Sequence, residues 1–165
     1  MKSFRKDLRG IRTTTFSLVF LLITANLHAQ SQRAAADADL AKGKHLILCS
    51  KFYEALPVLH AAAKSYERLS LPALQLEALF QAEWALDMTF QNEARARLLD
   101  QLETLSIKAF GKTSTYHHRT LVQRADHLFD VGKSDSARKL LITLMPEFEA
   151  TEDRWALSSG HLLLG

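Results

Sequence analysis

The sequence predicts an all-α chain in which antiparallel helix pairs stack as an α-solenoid, behind an N-terminal export signal. Three observations carry that reading. Small residues recur at matched places in successive apolar helical patterns. Glycine and proline are few, six and three in 165 residues, which disfavours a turn-rich β-sandwich. The first thirty residues have a composition unlike the rest.

Those first residues come first in the chain. Lys2, Arg5, Lys6, Arg9 and Arg12 form a basic flank, and Phe16 to Leu27 then runs without a charge. The run is shorter than the roughly 20 residues that span a bilayer, so the segment reads as a cleavable secretory signal over 1–29, with the cut placed after Ala29. Residues 30–36 read as a linker and 37–165 as the helical domain. The signal holds five of the 21 basic and one of the 18 acidic residues. The remainder has a net charge of about −1, which gives no basic surface for nucleic acid. The membrane enters only during export, and the destination is periplasmic or extracellular. Cys49 is the only cysteine, so no internal disulfide is available; it reads as a small buried helix residue.

In the helical domain, Ala55, Ala94 and Ala137 are followed four residues later by Leu59, Leu98 and Leu141, and eight later by Ala63, Leu102 and Met145. That is one helix face. Twelve residues before each alanine stand Gly43, Ala82 and Ala125, flanked by Leu40, Leu79 and Val122 and by Ile47, Leu86 and Phe129. Each unit is thus a first helix with a small residue at its centre, a short turn and a second helix. Short side chains at the crossing let two helices approach closely. Near the end, Gly160 with Leu157, Leu163 and Leu164 matches the first helix of a fourth unit, and the small residues are spaced 39, 43 and 35 apart.

Local signals set the boundaries. Ser70 and Pro72 mark an exit and a new start. Pro57 lies inside a second helix and predicts a kink. Gly111 ends the next long helix as a left-handed cap, and Thr113, Ser114 and Thr115 offer N-caps for its successor. Glu152 and Asp153 suit the start of the last helix. The chain then stops within the fourth unit, leaving Leu162, Leu163 and Leu164 exposed or partly packed; this end reads as a truncation or short gene product, as a surface for self-association, or as a last helix that packs on the third unit and frays.

The stretches "SKFYEALPVL" and "VGKSDSARKLL" resemble the tetratricopeptide repeat (TPR) family, and the resemblance covers 37–165. Gly132 stands where that family often places a turn glycine. Pro57, the long spacings and "AFGKTSTYHH" look like the longer kinesin light chain variant. Thr89 stands where the middle unit would carry its turn glycine. The resemblance implies about three repeats plus a part of a fourth, and a concave face lined by the first helices that binds a protein or peptide.

Lys44, Phe80, Glu83, Arg119, Gln123, Asp126 and Asp130 fall near that face. Leu40, Lys44 and Glu83 do not make the Lys/Asn clamp with which chaperone-linked members hold a C-terminal carboxylate.

No phosphate-binding glycine loop, zinc-protease helix or nucleophile elbow is present in the sequence. His117 and His118 are neighbours about 100° apart on a helix, a poor chelate, and read as loop or helix-start residues. Asp126, His127 and Asp130 read as a solvated surface cluster. The expected function is therefore a non-enzymatic exported scaffold without cofactor or metal. The alternative is the extracytoplasmic input region of a membrane signalling protein.

Overall fold

The computed structural model describes residues 27–165, so most of the expected signal, residues 1–26, lies outside the described residues. Seven helices and no strand occur among the described residues. They are α1 (27–48), α2 (Phe52–Arg68), α3 (Pro72–Met88), α4 (Asn92–Phe110), α5 (Thr115–Asp130), α6 (Ser134–Ala150) and α7 (Arg154–Leu164). From α2 onward each helix packs on the next in the chain, and α5 also touches α7. This is a helical-hairpin arrangement compatible with an α-solenoid. No described helix is long and apolar enough to cross a membrane.

One turn geometry sets the rhythm. Ser50, Ser70, Phe90, Gly132 and Glu152 all have positive φ, between 53° and 76°. At each, the backbone N–H bonds three residues back, and the next N–H bonds five back, as Ser50 to Ile47 and Lys51 to Leu46 show. This Schellman closure satisfies the last carbonyls of a helix and reverses the chain. The left-handed residue returns every 20 residues, except across the longer α4–α5 loop. Four of the five are not glycine, so the sequence did not display the pattern. In the middle hairpin the left-handed residue is Phe90; Thr89 before it bonds the Ala85 carbonyl through its hydroxyl at 2.8 Å.

The remaining boundaries follow the local chemistry. Pro72 opens α3, Ser114 accepts from the His117 N–H, and Asp153 accepts from the Ala156 N–H. Gly111 ends α4 at φ 86°, ψ 168°, a region open essentially to glycine alone. It is a glycine-only stop, where a left-handed cap was expected. α2 continues past Pro57 without a break. Residues 30–36 are helical, within α1, where a linker was expected, and Ala36 is buried in the core. Cys49, expected to be buried, is exposed because it lies in the α1–α2 turn.

The shared turn also corrects the register of the middle hairpin. Counting from the left-handed residue, the position seven before and the position five after are Gly43 and Ala55 in the first hairpin, and Ala125 and Ala137 in the third. In the middle hairpin they are Glu83 and Arg95, not Ala82 and Ala94. Ala82 is still fully buried, while Ala94 is only partly so. Matching small residue to small residue moved the register by one place, because no pattern of apolar residues admits a buried charge.

The apolar interior has two parts. One cluster runs through α1–α4 around Leu59, Tyr66, Leu79, Phe80, Leu99 and Leu102. A smaller one joins Val122, Met145, Phe148 and Ala156 with Leu157, Leu163 and Leu164 of α5–α7. Leu163 and Leu164 are therefore partly packed; Leu162 is exposed.

Two glycines differ in what faces them. A Cβ on Gly43 would lie 2.4 Å from Leu59 Cδ2 and 2.6 Å from its Cγ, within the first hairpin. A Cβ on Gly160 would lie 2.9 Å from the Met145 sulfur on α6, so Gly160 serves the contact with the preceding helix, not the crossing within a hairpin. Leu59 is branched and fully buried, whereas Met145 has a flexible thioether end. We expect Gly43→Ala to lower stability by about 1–2 kcal/mol, overpacking exceeding the gain in helix propensity. Gly160→Ala should be neutral or stabilising, and urea unfolding of both variants checks the contrast.

A candidate binding face and its buried cation

The first helices of successive hairpins are tied side by side. Lys44 on α1 donates to Glu77 on α3 at 2.9 Å, and Arg119 on α5 approaches the other Glu77 oxygen at 3.5 Å. The Arg119 guanidinium lies 4.1 Å above the Phe80 ring and 5.9 Å from the Trp155 ring on α7. One row of side chains thus crosses α1, α3, α5 and α7. Burial pushes the Glu77 carboxyl up, but hydrogen bonds from Lys44 and Gln81 and the charges of Lys44 and Arg119 outweigh it and hold it below its ordinary value. Phe80, expected on the open face, is fully buried beneath Arg119.

Beside this row, α4 drives Arg95 into the middle of the molecule, where its side chain is 2% exposed. Its Nε donates to Glu83 at 2.6 Å, Nη1 to Asp87 at 2.7 Å and to Asp130, and Nη2 to Asp126 at 2.7 Å. Glu83 also accepts from the Gln123 amide at 2.6 Å. Glu83 and Asp87 are four apart on α3, Asp126 and Asp130 four apart on α5. One cation therefore bolts α4 to its own hairpin partner and to the next hairpin.

The cluster holds four carboxylates and one guanidinium. Burial, reinforced by Asp87 and Asp126, pushes the Glu83 carboxyl up to about 7 against the pull of Arg95. Asp87 is raised as well, by burial and by Asp126 and Asp130. For Arg95, burial opposes the charge, and Glu83, Asp126 and Asp87 overcome it and hold the guanidinium protonated. The proton taken up belongs to the cluster as a unit. Oxygens of Asp87, Asp126 and Asp130 lie within 4.8 Å of one another, the spacing of a cation site. Arg95 already bonds all three, and a divalent ion would have to displace it.

A second polar joint lies farther along. His118, fully buried on α5, sets Nδ1 3.0 Å from Asp153 and Nε2 3.3 Å from Glu147 of α6, with the Phe148 ring beside it. Asp153 thus caps α7 with one oxygen and meets α5 with the other. Arg124 reaches Asp100 and Glu103 of α4, each at 2.8 Å. His117 and His127 are buried too, and desolvation lowers both. The histidine pair lies at the start of α5, one of the two places expected, with both side chains buried, and Asp126 and Asp130 bind Arg95 where a solvated cluster was expected.

Of the residues singled out in the sequence, Lys44 and Arg119 meet through Glu77, and Glu83, Gln123, Asp126 and Asp130 gather around Arg95. Glu83, like Phe80, is too buried to touch a partner. Sequence reasoning missed Glu77, Asp87, Arg95 and Trp155. The signal for Arg95 was present as two acidic i,i+4 pairs that need a shared cation.

Comparison with protein-family models, with curated proteins and with solved structures finds no match to the chain.

Two outcomes follow. Arg95→Ala should cost about 3–5 kcal/mol, since it strands a buried carboxylate. Adding Glu83→Ala, which restores the small pair of the other hairpins, should recover part of that loss in a double-mutant cycle. The second outcome concerns pH. The Glu83 value in the folded chain lies above its ordinary 4.5, so the stability from its proton is full below about 4.5 and is lost as pH rises to about 7. His117 and His127, driven down by burial, contribute the opposite slope. The stability of wild type relative to Glu83→Gln should therefore fall between about pH 5 and about pH 7, which urea midpoints measure; parallel profiles would contradict this.

Proposed function

We propose that the chain is an exported, non-enzymatic scaffold of TPR-like hairpins that binds an extended protein or peptide segment along its first helices. The observation that carries this reading is the row Lys44–Glu77–Arg119–Trp155, which joins the four first helices into one partly exposed face. The five matching turns support the repeat character, because equal hairpins stack into a continuous surface. Export rests on the basic flank from Lys2 to Arg12 and the uncharged run from Phe16 to Leu27.

The test is a peptide array probed with the purified chain. Binding of defined segments should weaken at least tenfold in Lys44→Ala and Trp155→Ala, whose side chains are about half exposed. It should be unchanged in Arg97→Ala, an exposed position on the second helix α4. Equal loss in all three variants, or in none, would remove the face from consideration.

A further inference from the structure

Counting back from the left-handed turn residues gives matched positions on the first helices. Six before stand Lys44, Trp84 and Asp126; two before stand Leu48, Met88 and Asp130. Within each helix the two positions are four apart and share a face. The contacts that set α1, α3 and α5 side by side place these pairs as one strip across the three helices.

The strip changes character along its length. Its centre is apolar and open: Trp84 is 45% and Met88 46% exposed, and Leu48 on α1 is more exposed still. Phe90, in the adjoining turn, is exposed as well. Lys44 is already engaged by Glu77. At the far side Asp126 and Asp130, with Asp87, keep about a third or more of their side chains in solvent. Each uses one oxygen on Arg95, and one guanidinium leaves the group of four carboxylates with an excess of negative charge.

We infer that this strip receives a cationic segment of a partner protein: a large apolar side chain rests on Trp84 and Met88, and a lysine or arginine meets Asp126 and Asp130. This deepens the binding-face reading and rests on it. An extended chain advances about 3.3 Å per residue, and α3 and α5, which meet through the long side chains of Glu83–Gln123 and Glu77–Arg119, stand at or beyond the wide end of the roughly 8–10 Å range of packed helix axes. An apolar residue over α3 therefore sets the residue about three places along over α5. The preferred motif is an apolar residue and, about three positions away, a basic one. The charge steers the encounter and the apolar contact holds the complex.

The test uses the full chain and labelled decapeptides in a Gly/Ser background, each with one Leu and, three residues on, Arg, Glu or Ser. Fluorescence anisotropy should show the Arg peptide binding at least tenfold more tightly than the Glu peptide, with the difference shrinking at high salt. Trp84→Ala should weaken the Arg peptide. Asp130→Asn, which keeps an oxygen for Arg95, should narrow the Arg/Glu difference. If that variant does not fold by circular dichroism, the comparison of peptides on the wild-type chain still decides. Equal binding of the three peptides would overturn the cationic preference and leave the binding face standing. Binding of none, while other array segments bind at Lys44 and Trp155, would overturn the strip alone; binding of no segment at all would remove both. A concentration-dependent dimer abolished by Trp84→Ala would assign the strip to a second copy and overturn the inference.

Discussion

The structure turns on a single buried guanidinium. Arg95 occupies a position that holds alanine in the neighbouring hairpins, opposite Glu83, where they hold glycine or alanine. A close helix crossing can be built from two small residues or from an oppositely charged pair that bridges a wider gap, and this chain uses both. The ionic version suits the middle because Arg95 has donors to spare: Nε serves its own hairpin, and the two terminal nitrogens reach the next. The apolar clusters of α1–α4 and α5–α7 share no buried residue, Tyr116 of α5 packs against the first, and this cation adds a polar link between the two halves. The desolvation of the ion pair makes it a modest source of net stability, but a strict one for alignment, since every oxygen it binds fixes a helix position.

His118 repeats the logic at the next joint with fewer carboxylates: one ring and two of them, one of which also caps a helix. A neutral imidazole has one N–H and can donate to only one of them. Each of the two joints that follow α4 thus carries a buried polar cluster, the second of them beside the apolar contacts of Val122, Met145, Phe148 and Ala156. Apolar stacking prevails within the first four helices. The chain combines an apolar half with a half in which buried charged groups are set into a smaller apolar core.

Much of the fold was legible because helix ends are local events. Pro72, Ser114, Asp153 and Gly111 each act through their own backbone neighbourhood, and each marks a boundary where the sequence placed one. What was not legible depended on tertiary context. Ser50, Ser70, Phe90 and Glu152 adopt left-handed backbone against their intrinsic preference, because two packed helices demand the turn. Without those anchors the middle unit was aligned on Ala82 and Ala94, one residue from the true crossing. Nothing local marks Arg95 among Glu93, Arg97 and Asp100, since its four acidic partners come from two other helices. Lys44, Arg119, Gln123, Asp126 and Asp130 were found by their place on the first helices, but Glu77 and Trp155, which complete the row, were not.

The uniform turns carry a consequence for how such a chain can grow. Since the backbone leaves Ser50 and Phe90 in the same conformation, a gene segment copied or excised between those two codons would rejoin helix to helix without a frameshift in packing. Side-chain chemistry sets the limit. A tandem copy of that segment repeats Glu83 but not Arg95, which lies beyond it, so the first copy's Glu83 meets a second Ala55 across the crossing and is left without its cation. Such duplications would be accepted by the backbone and screened by charge, which leaves the middle unit as the one least free to multiply.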